Sequence, residues 1–354
     1  MVAKLLKAIV LGVLAALLIL WLYPELRKSA IPLPSPHLSM GAEPMSFNSA
    51  VRAAAPAVVN VYNRSMGQNT QDQTLGIRNL GSGVIMDPRG YILTNQHVIS
   101  SADQIIVALQ DGRVYEAMLV GSDTMTDLAV LKIDGTNLPQ IPLNAERPAR
   151  IGDVVLAIGN PYNLGQTITQ GIISATGRIG LSTFGRQNFL QTDASINRGN
   201  SGGALVNSLG ELVGINTLSL DKSNSGEAAE GIGFAIPVAL ATKIMHKLIR
   251  DGRVIRGYIG VQGREIVPST TQSFSMERIQ GIMIAGLDEN GPGAKAGLHM
   301  RDIGTAIDGK PAVSAVGVMD QVAEIRPGSE VPVSIIRDGK EMTLPVTITE
   351  SPIH

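Results

Sequence analysis

Apolar residues follow three different spacings along the chain. Residues 8–23 run without a charge. From residue 46 onward the apolar positions come in short bursts instead: 57–62, 83–86, 91–94, 104–109, 114–117, 128–133 and 154–158. Bursts of this length, rich in Val and Ile and cut by Asp87-Pro88-Arg89-Gly90 and Asp111-Gly112, predict strands joined by tight turns. Strands spaced this closely, with almost no helix between them, predict a barrel or a sandwich. A helical spacing appears at 238–250, where Ala241, Ile244, Met245, Leu248 and Ile249 form one stripe. Pro237 suits the entry to that helix and Gly252 its exit. A short helix is expected from Ser46 to Ala53, ended by Pro56, and a polar loop from Met66 to Asn79.

The first 28 residues predict a transmembrane anchor. Lys4 and Lys7 precede the apolar run, and Trp21, Tyr23, Pro24, Glu25, Arg27 and Lys28 close it. A membrane span needs about 20 residues, and Trp and Tyr favour the interface. A cleaved signal peptide is the competing reading, but no pair of small residues follows the run to mark a cleavage site. The amino-terminal charge favours an N-terminus inside, with the rest of the chain across the membrane. Residues 29–45 hold Pro32, Pro34, Pro36 and Pro44 and predict an extended linker, in which His37 has no assigned role.

Composition narrows the chemistry. Lys and Arg number 29 against 30 Asp and Glu, which gives a nucleic-acid partner no support. The absence of cysteine excludes disulfides, thiol catalysis and Cys-ligated metal. No metal or other cofactor is expected.

The chemistry centres on Gly199-Asn200-Ser201-Gly202-Gly203. Glycines on both sides let the backbone take φ > 0 and leave room for an incoming peptide. Such a turn can aim the amides of Gly199 and Ser201 at one point, as an oxyanion hole needs. A glycine-rich hairpin whose serine merely caps a turn has the same local sequence. His97 lies just past a strand in Thr94-Asn95-Gln96-His97-Val98, and Asp127 opens the next apolar strand in Thr126-Asp127-Leu128-Ala129-Val130. His97 would act as the base, and Asp127 would hold its tautomer. Asp123 is a rival acid, less well placed within its turn. His, then Asp, then Ser is the order of chymotrypsin-type enzymes.

These three blocks resemble the active-site blocks of the HtrA family of serine proteases. Residues 81–85 and 152–161 also resemble family blocks, and the resemblance runs from residue 46 to the C-terminus. It implies a mainly β fold: a chymotrypsin-like double β-barrel, two barrels of six strands, then one α+β PDZ domain. His97 and Asp127 would come from the first barrel and Ser201 from the second. Arg178 would correspond to a residue that relays activation, and residues 221–230 to a regulatory loop. Ser195-Ile196-Asn197 and residues 216–219 would line a small neutral specificity pocket, since no acid stands where a basic side chain would bind.

The last hundred residues supply the second part of the resemblance. Arg256-Gly257-Tyr258-Ile259-Gly260-Val261 resembles the carboxylate-binding loop and strand of a PDZ domain, with Tyr258, Ile259, Gly260 and Val261 as the peptide-binding residues. Residues 291–298 and 301–309 resemble the PDZ helix and its following strand, and residues 314–324 the helix beside the groove. A plain α+β domain with a hairpin at Tyr258 is the alternative. The expected organisation is therefore 1–28 anchor, 29–45 linker, 46–252 protease and 253–354 PDZ.

One anchor and one PDZ unit resemble the membrane-bound, stress-sensing members of the family. That implies a homotrimer, single-pass in a bacterial inner membrane, with its protease and PDZ domains in the periplasm. C-terminal peptides of outer-membrane proteins would bind the PDZ domain, and a membrane-bound anti-sigma factor would be the substrate. A constitutive quality-control protease and an inert scaffold serving as PDZ adaptor or chaperone are the alternatives.

Overall fold

The computed structural model describes residues 2–23, 46–66, 75–161, 165–178, 188–219, 231–266 and 281–352. It divides into two compact units, Met1–Ser46 and Phe47–His354. The first contains helix α1 (Val2–Leu22), whose side chains are exposed from Leu6 to Leu22. Among the described residues no helix is long and apolar enough to cross a membrane. The linker expected at 29–45 lies outside the described residues.

The second unit opens with α2 (Asn48–Ala54). Seven strands follow: β1 (Val58–Met66), β2 (Leu75–Ile85), β3 (Tyr91–Asn95), β4 (Gln104–Ala108), β5 (Val114–Glu116), β6 (Met118–Asp123) and β7 (Leu128–Lys132). Their sheet order is β5-β4-β1-β2-β3-β7-β6. The first and last strands of that order are consecutive in the chain and break only at Ala117, whose amide donates to Ile105 O at 2.9 Å. Counted as one bent strand, they close a six-stranded barrel, as expected. The loop expected from Met66 to Asn79 is corrected at both ends. β1 continues to Met66 and β2 begins at Leu75, with Met66 opposite Leu75 and Ser65 opposite Gly76. Within the expected loop, Leu75, Gly76, Ile77 and Asn79 stand on a backbone paired with β1, and two apolar residues beside a polar stretch do not reveal it.

The second barrel is closed in the order β10-β13-β12-β11-β8-β9. Its strands are β8 (Val154–Gly159), β9 (Thr167–Arg178), β10 (Phe189–Thr192), β11 (Ala204–Asn207), β12 (Leu212–Ser219) and β13 (Gly233–Pro237).

Strand side chains alternate between faces, and here both faces are buried. Ala129 and Leu131 fill the first barrel, while Leu128 and Val130 join a core between the barrels. Val155 and Ala157 fill the second barrel, while Leu156 and Ile158 join the same shared core. This is why the runs at 128–131 and 154–158 are continuously apolar rather than alternating. Helix α4 (Val238–Asp251) covers the shared core with Ala241, Ile244, Met245 and Leu248, all buried. It ends at Gly252, φ 72°, whose amide donates to Leu248 O. The helix end lies so close to β6 that a Cβ on Gly121 would meet Gly252 O at 2.2 Å.

A third sheet runs β15-β16-β17-β19-β20, formed by β15 (Val261–Glu265), β16 (Ile282–Leu287), β17 (Ile303–Ile307), β19 (Glu330–Arg337) and β20 (Lys340–Thr347). β18 (Lys310–Pro311) pairs with β17, and β14 (Gly257–Tyr258) pairs with β21 (Thr349–Glu350). Between β16 and β17 lies the short helix α5 (Pro292–Lys295). Helix α6 (Ala315–Glu324) is capped by Ser314, whose side chain accepts from Gly317 N. A separate core of Ile259, Ile284, Leu298, Val322, Val333 and Ile335, among others, holds this sheet to α6.

Candidate active site

Strand β3 ends at Asn95 and the chain turns at once into the one-turn helix α3 (Gln96–Ile99), which presents His97. Opposite it, the β6–β7 turn carries Asp127 at φ 53°, a left-handed backbone unusual for a residue with a side chain. Asn95, Gln96 and His97 bind Asp127 through four contacts. Asn95 Nδ2 and Gln96 N donate to its carbonyl at 2.9 and 3.1 Å. His97 N donates to Oδ1 at 3.0 Å, and His97 Nδ1 lies 2.8 Å from Oδ2. A carboxylate can only accept, so Nδ1 carries a proton, and in the neutral ring Nε2 keeps the lone pair.

The rival acid is engaged elsewhere. Asp123 accepts from Thr126 N at 3.1 Å and from the Thr126 hydroxyl. It also binds Arg256 through both carboxylate oxygens. Asp123 therefore shapes the turn that carries Asp127 instead of reaching the imidazole.

Ser201 stands in the turn between β10 and β11, flanked by Gly199 at φ 101° and Gly202 at φ 82°. A Cβ on Gly202 would lie 2.1 Å from Ser82 O, so only glycine fits where this turn meets the first barrel. Gly202 N donates to Asn216 O, and Asn216 N donates to Gly203 O, which locks the turn to β12. The Ser201 hydroxyl donates to Thr217 O at 3.0 Å, and the Thr217 hydroxyl donates to Asp127 Oδ2 at 3.0 Å. Thr217, 1% exposed, thus joins the serine side of the site to the acid. The sequence places Thr217 only in a pocket wall. Its role depends on two long-range hydrogen bonds that leave no local signal.

The site has one polar, partly open face. The His97 side chain is 42% exposed and that of Asp127 22%. Of the expected pocket residues, Ile196 is buried in the second-barrel core, while Ser195 and Asn197 are exposed. Among the described residues no group of His, Asp and Glu could hold a metal ion.

The other expected site residues fall on β14, on the link from it into β15, and on β9. Tyr258 lies in β14, and its hydroxyl donates to Asp288 Oδ2 at 3.2 Å. Burial, with the Asp288 charge behind it, pushes the Tyr258 phenol above its ordinary value. Ile259 is buried, and its carbonyl accepts from Gly293 N at 2.8 Å. Gly260, φ 74°, accepts from Asp288 N at 2.9 Å. Val261 opens β15, which ends the sheet order on that side. Behind it lies an apolar cavity of about 40 Å³, lined by residues including Val261, Gly304, Ala315 and Met319. Arg178 closes β9, paired with Phe189. Its side chain and the loops at 179–187 and 220–230 lie outside the described residues.

Comparison with known proteins agrees with both halves. The trypsin-like peptidase domain family matches residues 81–215, and the PDZ domain family matches residues 257–348. Serine endoprotease DegS of Escherichia coli (strain K12) is 65% identical over 354 residues, covering 99% of each chain. The periplasmic pH-dependent serine endoprotease DegQ of the same organism is 42% identical over 293 residues, covering 82% of this chain and 64% of that one. A solved structure of the HtrA-type protease AlgW with a tripeptide superposes with a TM-score of 0.78 at 47% identity, covering 87% of this chain and 98% of that one. With a peptidase double barrel, a PDZ fold and full-length identity of this order, the chain belongs to the HtrA family of serine endoproteases.

Proposed function

We propose that Ser201, His97 and Asp127 are the nucleophile, the base and the orienting acid of this endoprotease. The observation that carries the reading is the hydrogen-bonded chain His97–Asp127–Thr217–Ser201. The free lone pair on His97 Nε2 takes the Ser201 proton as Oγ bonds to the scissile carbonyl carbon. Negative charge moves to the carbonyl oxygen, which the Gly199 and Ser201 amides receive. The C–N bond then breaks as His97 returns the proton to the leaving amine, and water frees the acyl group by the reverse sequence. For the hydroxyl, this requires rotation from Thr217 O to the imidazole.

The domain organisation we propose is 1–28 anchor, 29–45 linker, 46–252 protease and 253–354 PDZ. The residues 258–261 receive the carboxylate and backbone of a C-terminal peptide, added as a strand beside β15. The open strand edge and the apolar cavity behind it support this reading. Activation follows as a population shift, with Arg178 in the relay: the peptide must bind the active state more tightly than the resting one. The ligands are C-terminal peptides of misassembled outer-membrane proteins, and the substrate is a membrane-bound anti-sigma factor. The enzyme works as a homotrimer, held in the bacterial inner membrane by its segment 1–28 with its catalytic part in the periplasm.

Cleavage of a candidate anti-sigma factor with and without a C-terminal peptide ending in an aromatic residue tests the reading. Peptide should raise the rate, truncation after Gly252 should raise the rate without peptide, and Ser201→Ala should abolish it. High cleavage regardless of peptide would favour the constitutive protease. Full cellular function in Ser201→Ala would favour the adaptor.

A further inference from the structure

We propose that Ser82 is a positioning residue for hydrolysis: from the first barrel, it holds the carbonyls of the oxyanion turn in the second. The inference rests on Ser201 being the nucleophile.

Ser82 lies on β2 and is fully buried. Each of its polar atoms has a partner, and the partners come from three different parts of the site. Its amide donates to Ser201 O at 2.8 Å. Its hydroxyl donates to Gly199 O at 2.7 Å and accepts from Asn160 N at 3.0 Å, just past the end of β8. Its carbonyl accepts from the Thr94 hydroxyl at 2.7 Å, three residues before His97. Fully buried, none of these groups can turn to solvent for a replacement bond.

The bonds bear on the oxyanion hole through peptide geometry. The Gly199 carbonyl belongs to the peptide group 199–200, which lies between the two groups that carry the Gly199 and Ser201 amides, and the Ser201 carbonyl belongs to the group that follows them. Gly199 sits at φ 101°, a conformation open to glycine and easily lost by peptide rotation. Glycine sets no side chain against such a rotation, so the restraint must come from outside the turn. The Ser82 hydroxyl is that restraint, since rotating the Gly199 carbonyl away breaks a buried hydrogen bond. The close packing agrees: a Cβ on Gly159 would approach Ser82 Oγ at 3.1 Å, and one on Gly81 would approach Ser201 O at 3.2 Å.

The test compares Ser82→Ala, Ser82→Cys and Thr94→Val in the full chain, with activating peptide at saturation and rates scaled to folded protein. Ser82→Ala removes the hydroxyl that binds Gly199, whereas Thr94→Val removes a bond to the Ser82 carbonyl and leaves that hydroxyl in place. Loss of one direct oxyanion donor costs ~10²–10³ in kcat, so Ser82→Ala is expected to lose about tenfold or more, with KM within about twofold. Its reaction with a fluorophosphonate, which develops charge on the same oxygen, should slow in parallel. Ser82→Cys, a weaker donor, should fall between. Should Ser82→Ala fail to fold, the ordering of Ser82→Cys below Thr94→Val in kcat at matched melting temperature decides the matter. Equal kcat losses in the Ser82 variants and Thr94→Val, following stability alone, would overturn the proposal. Ser201→Ala separates the two readings: if it is inactive while Ser82→Ala is unaffected, only the role of Ser82 is lost. Residual cleavage in Ser201→Ala would remove the nucleophile itself.

Discussion

Arg256 grips Asp123 with both arms of its guanidinium, Nη1 to Oδ1 at 2.8 Å and Nη2 to Oδ2 at 2.7 Å. The two side chains are 13% and 3% exposed. Arg256 directly precedes β14, and Asp123 is the residue that shapes the turn leading to Asp127. One ion pair therefore ties the start of the PDZ fold to the turn beside the imidazole.

Breaking this pair should be expensive. Arg256→Ala leaves a buried carboxylate without its partner, a situation that costs about 3–5 kcal/mol. Arg256→Lys should recover only part of the loss, because an ammonium cannot bind both oxygens in one plane. Urea unfolding of the three proteins checks this. A lysine variant as stable as the parent would show that the paired geometry is unimportant.

Glu324, at the end of α6, binds Lys243 and Lys247 of α4, each at 3.0 Å. It links the helix beside the peptide groove to the helix that covers the barrels. Burial pushes the Glu324 carboxyl up, but hydrogen bonds and attraction from the two lysines outweigh it and hold it below its ordinary value. The carboxylate is 46% exposed, and such pairs are worth ~0.2–1 kcal/mol. Glu324→Gln should therefore raise cleavage without peptide by no more than about fivefold, and high salt should shrink the difference. Unchanged cleavage at low salt would show that this contact does not restrain the enzyme.

Asp302 supplies a pH signature. Its carboxyl is 2% exposed, is bound twice by Arg337 at 2.8 and 2.7 Å, and accepts from His299 N at 2.7 Å. Burial alone would raise it, but the Arg337 and His299 hydrogen bonds with the Arg337 charge hold it below its usual range. A lowered folded value gives stability that is complete above the unfolded Asp value of about 3.9. That stability is lost as pH falls through the lower folded value. Melting temperatures should accordingly drop more steeply below about pH 4 in the parent than in Asp302→Asn. Parallel profiles would contradict the assignment.

The Thr217 hydroxyl should matter to rate more than to substrate binding. A hydrogen bond to an ionised group is worth ~1.5–3 kcal/mol, so Thr217→Val is expected to lower kcat about tenfold or more. Asp127→Asn should cost far more, about 10⁴-fold, because an amide in that place favours the wrong imidazole tautomer. Steady-state kinetics on one peptide substrate distinguishes the two. Equal losses would mean that the carboxylate acts through Thr217 rather than on His97.

Much of this molecule is legible from local pattern. Strand-length apolar runs, turn glycines and a stripe of helical spacing are short-range properties, and the structure has strands or a helix at each. Gly90 and Gly112 do take φ of 92° and 88°, as the turns around them require. The order of the His97, Asp127 and Ser201 blocks and the PDZ-like segments likewise stand in the sequence.

What the sequence left undecided depends on contacts between distant segments. Asp123 ends β6 and Asp127 lies four residues on in the turn to β7, and only the tertiary fold commits one to Arg256 and the other to His97. Residues 75–79 close a polar stretch and offer only Leu75 and Ile77 as apolar positions, yet β1 supplies the missing backbone partners. Closure of the first barrel depends on β5 running on through Ala117 into β6, so that one bent segment pairs with β4 at one end and with β7 at the other. Ser82 and Thr217 look like ordinary hydroxyl residues until the two barrels bring the Ser201 turn and Asp127 against them. Periodicity is a property of neighbours along the chain. A hydrogen bond spanning ninety residues or more exists only once the chain has folded, so no local pattern announces it.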